Sequence, residues 1–256
     1  MSTGFLPSWA LFACTLLLFL LFIEAGHRVG TRRQHAAKHE KEGPVGAMVA
    51  ATLGLLGFFL AFTFGVAGNL FIAKRDVMLD EANSIGTAYL RADFLPEAEQ
   101  EVARKLLREY VDARIAAAET GDVEPAMRRS PEIHRELWAL AAASMNEQPT
   151  SIAAGLFTQS LNEVIDLHTT RVLIALRSSI PDAIWIALYA VAFLALVTMG
   201  YYGGLSATSR PLAVLTVAVA FAALFWLIHD LDTTREGPLR ISQQTMLDLR
   251  ESMGAP

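Results

Sequence analysis

The 256 residues are 53% hydrophobic and 18% charged, with a net charge of −5. That is too apolar for an ordinary soluble domain and too polar for a chain made wholly of membrane spans. A net charge of −5 gives no reason to expect nucleic acid, which would need a basic patch or stripe, and the single cysteine, Cys14, excludes an intramolecular disulfide.

Four apolar blocks carry the excess, at 7–23, 45–73, 183–202 and 211–231. A spanning helix needs about 20 mostly apolar residues. The first block is marginal, but no positive charge precedes it and Ala25-Gly26 is a poor cleavage site, so a retained span is expected rather than a signal peptide. The segment 24–44 reads as a loop holding Arg28, Arg32, Arg33, Lys38 and Lys41. Positive charge in short loops marks the cytoplasmic side, which places the N-terminus outside. His27, His35 and His39 share a helical spacing, but they lie among basic residues without a carboxylate shell. A solvated loop is expected there, and no metal or cofactor.

The second block runs without a break into a charged segment, so one helix should leave the bilayer and continue into water. At about 100° per residue, Ala50, Gly54, Gly57, Ala61, Gly65 and Gly68 share an arc of roughly 80°. Such a stripe lets helix backbones approach closely in a membrane. Phe58, Phe62 and Asn69 fall within roughly 40° of one another beside it. They are candidate pore-lining residues, because aromatic ring edges carry partial positive charge and apolar constrictions gate by dewetting. The alternative places these rings against lipid or the chain's own core.

The insert 74–180 interleaves 17 acidic and 12 basic residues and reads as helical throughout, on the outer, non-cytoplasmic side of the membrane by the charge rule. Met78, Ala82, Ile85 and Tyr89 form one apolar stripe. Within it, Gly86 implies a close helix crossing, and Glu81 and Arg91 each imply a partner on another helix. After Pro96 a helix should bury Val102, Leu106 and Tyr110. Residues 121–129 read as a loop, with Ser130-Pro131-Glu132 starting the next helix. A further helix from Thr150 or Ser151 carries Phe157, Leu161, Val164 and His168 on one side, the last as a core histidine with one bonded nitrogen. Pro181 either kinks this helix or opens a new one. His229 should sit at the membrane interface, and a short helix from about Ser242 should turn Met246 and Leu249 inward after a Gly-Pro turn.

The expected fold is therefore all-α, with four transmembrane helices in a 2+2 arrangement and a helical extramembrane insert between spans 2 and 3. The parts are 7–73 (spans 1 and 2), 74–180 (the insert), 181–231 (spans 3 and 4) and 232–256 (the tail). The spans carry no ionisable residue between their ends, which argues against an ion-coupled transporter. No nucleophile elbow, phosphate loop or metalloprotease motif is present, so no enzyme is expected.

In order, LLGFFLAFTF, EANSIGTAYLRADFLP, LLREYVDAR and LDTTREGPLRISQQTMLDLR resemble the bestrophin-like bacterial membrane proteins, formerly a domain of unknown function. Glu81, Asn83, Gly86, Tyr89 and Arg91 carry the second of these motifs. The resemblance covers most of the chain from 53 to 250. It implies a multi-pass protein of the bacterial inner membrane and a homo-oligomer in the lipid bilayer, a pentamer if the bestrophin architecture holds. It further implies a second span lining a path for small anions, although the proline usual in the bestrophin neck is missing. Bestrophins keep the N-terminus and helical domain in the cytoplasm, the reverse of the charge reading. A non-conducting scaffold or signalling protein, docking through the insert, is the alternative function.

Overall fold

A computed structural model describes residues 8–35, 42–206, 211–233 and 241–254. These form α1 (Ser8–His35), α2 (Glu42–Arg91), α3 (Glu97–Thr120), α4 (Glu124–Glu147), α5 (Ile152–Arg171), α6 (Asp182–Leu205), α7 (Pro211–Thr233) and α8 (Gln244–Ser252). No strand occurs among the described residues. The fold is all-α, and α1, α2, α6 and α7 are each long and apolar enough to cross a membrane. The chain divides into two compact units, one of residues 1–71 with 179–240 and one of residues 72–178 with 241–256.

In the first unit α1 and α6 run parallel. Thr15 and Tyr189 share a hydrogen bond at 3.2 Å, and further along α1 Gly26 and Gly30 meet α6 at Val197 and Tyr201. The contact there is backbone on backbone. A Cβ on Gly26, Gly30, Gly200 or Gly204 would fall within 3.0 Å of the opposing helix's carbonyl oxygens. Two G-x-x-x-G segments, GHRVG and GYYGG, thus face each other, the arrangement that substitutes for a hydrophobic driving force between helices in lipid. α7 closes the unit through Phe225, whose ring lies 5.2 Å from Phe19 and 4.8 Å from Tyr189. α2 contributes a narrow buried face of Leu56, Leu60, Thr63 and Ala67. The Asp232 carboxylate near the end of α7 accepts the Ile180 N–H at 2.9 Å, and Pro181 then opens α6 rather than kinking a longer helix.

Several boundaries differ from the sequence reading. The first helix does not stop at Ile23 but continues to His35, so 24–35 is helix, not loop. An i,i+4 pair (Glu24–Arg28, 2.6 Å) and three basic side chains in the last turn extend it, and the glycine seam offsets the poor helix propensity of Gly26 and Gly30. Glu24 consequently lies level with Gly200 of α6, inside the span, while Arg28 lies at its end, level with Tyr201 and Tyr202. His39, Lys38, Lys41 and the Gly-Pro turn fall outside the described residues.

In the second unit, α4 starts at Glu124, not Ser130. Asp122 accepts the Glu124 N–H at 3.1 Å, Pro125 occupies the first turn, and Pro131 lies inside the helix. Ser130 instead donates to the Ala126 carbonyl. On α3, Val102 is exposed; the inward face is Ala103, Leu106, Leu107, Tyr110 and Val111. Ser151 caps α5 as expected, accepting the Ala154 N–H. α8 buries Met246 and packs Leu249 on the core.

The glycine seam predicts that Gly200→Val, which drives a branched side chain into the α1 backbone, will prevent recovery of a monodisperse protein in mild detergent by size-exclusion chromatography. Gly155→Ala, where an added Cβ meets nothing within 4 Å, should elute like the parent.

Candidate functional site

Two features stand out from the rest of the fold. The first is the outward side of α2. Phe58 and Phe62 are 67% and 62% exposed, and Asn69 is exposed beside them. By helical arithmetic this edge points about 150° away from the buried Leu56–Ala67 face. The small-residue stripe is equally unoccupied. Ala50 and Ala61 are exposed, and a Cβ added at Gly54, Gly57, Gly65 or Gly68 would touch nothing. The close helix contact within one chain lies on α1 and α6 instead. Their paired G-x-x-x-G spacing is legible in the sequence.

The second feature is a polar cluster buried in the helical unit. Glu81 of α2 is completely buried. Its Oε1 accepts the Tyr110 hydroxyl at 2.7 Å and lies 3.3 Å from the Arg114 guanidinium. Its Oε2 pairs with Arg171. Arg114 also donates to Tyr110 and meets Nδ1 of His168, whose ring stacks edge-on against His134 at 4.9 Å. One carboxylate therefore ties α3 and α5 to α2, with α4 joined through His134. Burial, then the Arg114 guanidinium, pushes both imidazoles down to about 4, against the weaker pull of Glu81. Burial and Glu81 push the Tyr110 hydroxyl up. A neutral His168 can accept from Arg114, which fits the expected core histidine with one bonded nitrogen.

The other residues of the second motif also face neighbours. A Cβ on Gly86 would lie 3.2 Å from Leu249 of α8, the Tyr89 hydroxyl donates to the Met253 carbonyl at 2.7 Å, and Arg91 donates to the Leu156 carbonyl at 2.9 Å. Asn83 is exposed, and its carbonyl accepts the Thr87 hydroxyl. Gly86, Tyr89 and Arg91 thus join α2 to α5 and α8. No group of three or more His, Cys, Asp or Glu suited to a metal occurs among the described residues.

Removing the carboxylate leaves two guanidinium groups without their counter-charge. Glu81→Gln should therefore lower unfolding stability by about 3–5 kcal/mol, the range for breaking a buried ion pair, read as a drop in Tm by tryptophan fluorescence. The histidines predict a pH dependence of definite sign. Below about pH 6.5 the unfolded chain takes up protons that the folded one refuses until about pH 4. Stability from this source is complete above pH 6.5 and falls as pH drops toward 4. His168→Gln should flatten that slope in Tm measured against pH.

Comparison with known proteins matches the bestrophin-like domain to residues 13–246. No match is found among curated proteins. Among solved structures, a bacterial bestrophin homolog from Klebsiella pneumoniae aligns with a TM-score of 0.67 at 16% identity, covering 94% of this chain and 96% of that one. A single-substitution variant of the Klebsiella pneumoniae homolog gives 0.68 at 13%, covering 94% and 97%. A crystal structure described as a membrane protein gives 0.68 at 14%, covering 96% and 99%. Four apolar helices, the helical second unit and the matched domain lead to one conclusion: the chain belongs to the bestrophin-like family and is a multi-pass membrane protein.

Proposed function

We propose that the chain forms a homo-oligomeric channel in which α2 lines the path. The outward side of α2 carries this reading. Glycine in mid-helix weakens a helix, and four glycines on one face bring no return unless another backbone approaches them. Among the described residues of one chain nothing does. A second copy packed on the stripe would supply the contact and turn the Phe58, Phe62 and Asn69 edge toward a shared axis. The Asn69 carboxamide favours the same arrangement, since a polar group costs less against water or protein than against hydrocarbon.

Five copies around that axis would reproduce the bestrophin arrangement, with Phe58 and Phe62 as the constriction. Ring edges suit small anions, whereas the acid-rich helical unit opposes them. The permeant class is therefore open to both signs of charge. By the positive-charge rule the basic end of α1 faces the cytoplasm.

Purified protein in liposomes should pass small ions. Phe62→Ala should raise the flux severalfold by widening the constriction while leaving the oligomer unchanged by native mass spectrometry. A monodisperse oligomer that passes neither anions nor cations across a range of pH would overturn the channel reading and favour a scaffold. A monomer would overturn the role given to the α2 stripe.

A further inference from the structure

The far end of α1 carries charge that the α2 path does not use. Helical arithmetic puts Leu17, Leu21, Arg28 and Arg32 on one ridge of α1, within about 60° of one another. That ridge faces away from the core. Leu17 and Leu21 are 62% and 64% exposed, the Arg28 side chain is 70% exposed, and Arg32 and Arg33 are exposed one turn further on. Glu24 occupies only Nε of Arg28. Arg32 forms no ion pair among the described residues, so two guanidinium groups on the ridge stand against one carboxylate.

The depth of this ridge is set by the glycine seam. Gly30 lies against Tyr201 and Gly204, and Gly204 against Thr31, which puts Arg28 to Arg33 level with the last turn of α6 and its Tyr201-Tyr202 pair. Tyrosine and tryptophan collect at the headgroup level of a bilayer. At the opposite end Trp9 is exposed, about 33 Å of helix away from Thr31, against roughly 30 Å of hydrocarbon. The aromatic residues at the two ends therefore mark the two boundaries. Between them the ridge offers leucines at acyl-chain depth and arginines at phosphate depth.

We propose that this ridge is a binding site for an anionic phospholipid, its phosphate held by Arg28 and Arg32 and an acyl chain lying along Leu21 and Leu17. Arginine suits the task because its planar fork pairs two donors with one phosphate. The carboxylate of Glu24 pre-sets the Arg28 side chain on the ridge. The occupant is a lipid of the surrounding leaflet rather than free phosphate, since the site is a ridge open to hydrocarbon and not a pocket open to water.

The test uses the full-length protein and its Arg28→Gln/Arg32→Gln variant in mild detergent. Each is mixed with phosphatidylglycerol or with phosphatidylcholine, and retained lipid is counted by native mass spectrometry. The parent should retain phosphatidylglycerol in preference to phosphatidylcholine. The variant should lose roughly 25-fold in phosphatidylglycerol affinity, about fivefold per arginine, with phosphatidylcholine retention unchanged. Excess inorganic phosphate should not displace the lipid. Equal retention of the two lipids by the parent, unchanged retention by the variant, or displacement by phosphate would overturn the proposal. So would a change of oligomeric state in the variant, which would assign the ridge to a neighbouring copy. The Gln replacements sit on the exposed surface of a helix and favour helix formation, and Leu17→Ala/Leu21→Ala provides a second variant that should weaken retention without altering charge.

Discussion

Inside hydrocarbon, two apolar helices gain nothing by leaving the lipid for each other, so shape must do what water does elsewhere. The first unit answers this constraint with bare backbone. Four glycines let α1 and α6 meet at carbonyl distance, and the rest of the unit is arranged around that contact. Phe19, Phe225 and Tyr189 fill the space on one side, and the narrow buried edge of α2 fills another. The seam also fixes axial register, since sliding by one turn would place Val197 or Tyr201 side chains where only hydrogen fits.

The second unit meets the opposite solvent. Its core of Ile85, Leu107, Ile133, Phe157 and Leu161 is fully buried and is of the kind that water itself drives together. Non-directional burial does not dictate which helix faces which. The Glu81 cluster adds that direction, because a carboxylate held by Tyr110, Arg114 and Arg171 tolerates few alternative rotations of α3 and α5. The two histidines remain uncharged beside the arginines, which keeps further positive charge out of the interior.

Much of this was legible in the residues. Apolar length revealed the spans, the absence of proline between Pro44 and Pro96 revealed the unbroken α2, and the stripe Met78–Tyr89 revealed its buried side. The partners of Glu81 were not legible, because Arg114 and Arg171 lie far along the chain and nothing local distinguishes them from surface arginines. Composition also misplaced the end of α1. Glu24 and the glycines look like a loop until a facing helix is known to make them useful. Pro131 misled for a related reason: Ser-Pro-Glu is a common helix start, but Asp122 and Pro125 had already begun α4. The α2 edge could be located from sequence, yet one chain leaves it bare, so its occupant is a matter for the assembly.

The parallel alignment of α1 and α6 has a consequence for biosynthesis. Parallel neighbours cannot be joined by a tight turn, and here the connection is the whole of α2 to α5. As the chain emerges, α1 must wait in the bilayer with its glycine face exposed until α6 (Asp182–Leu205) has been made. The helical unit waits too, since Tyr89 and Gly86 meet α8 near the far end of the chain. Contacts of such wide sequence separation form slowly, and the intermediate displays open packing surfaces to its neighbours. A ribosome that stalls before residue 205 would release a chain in which neither unit is complete, a natural substrate for membrane quality control.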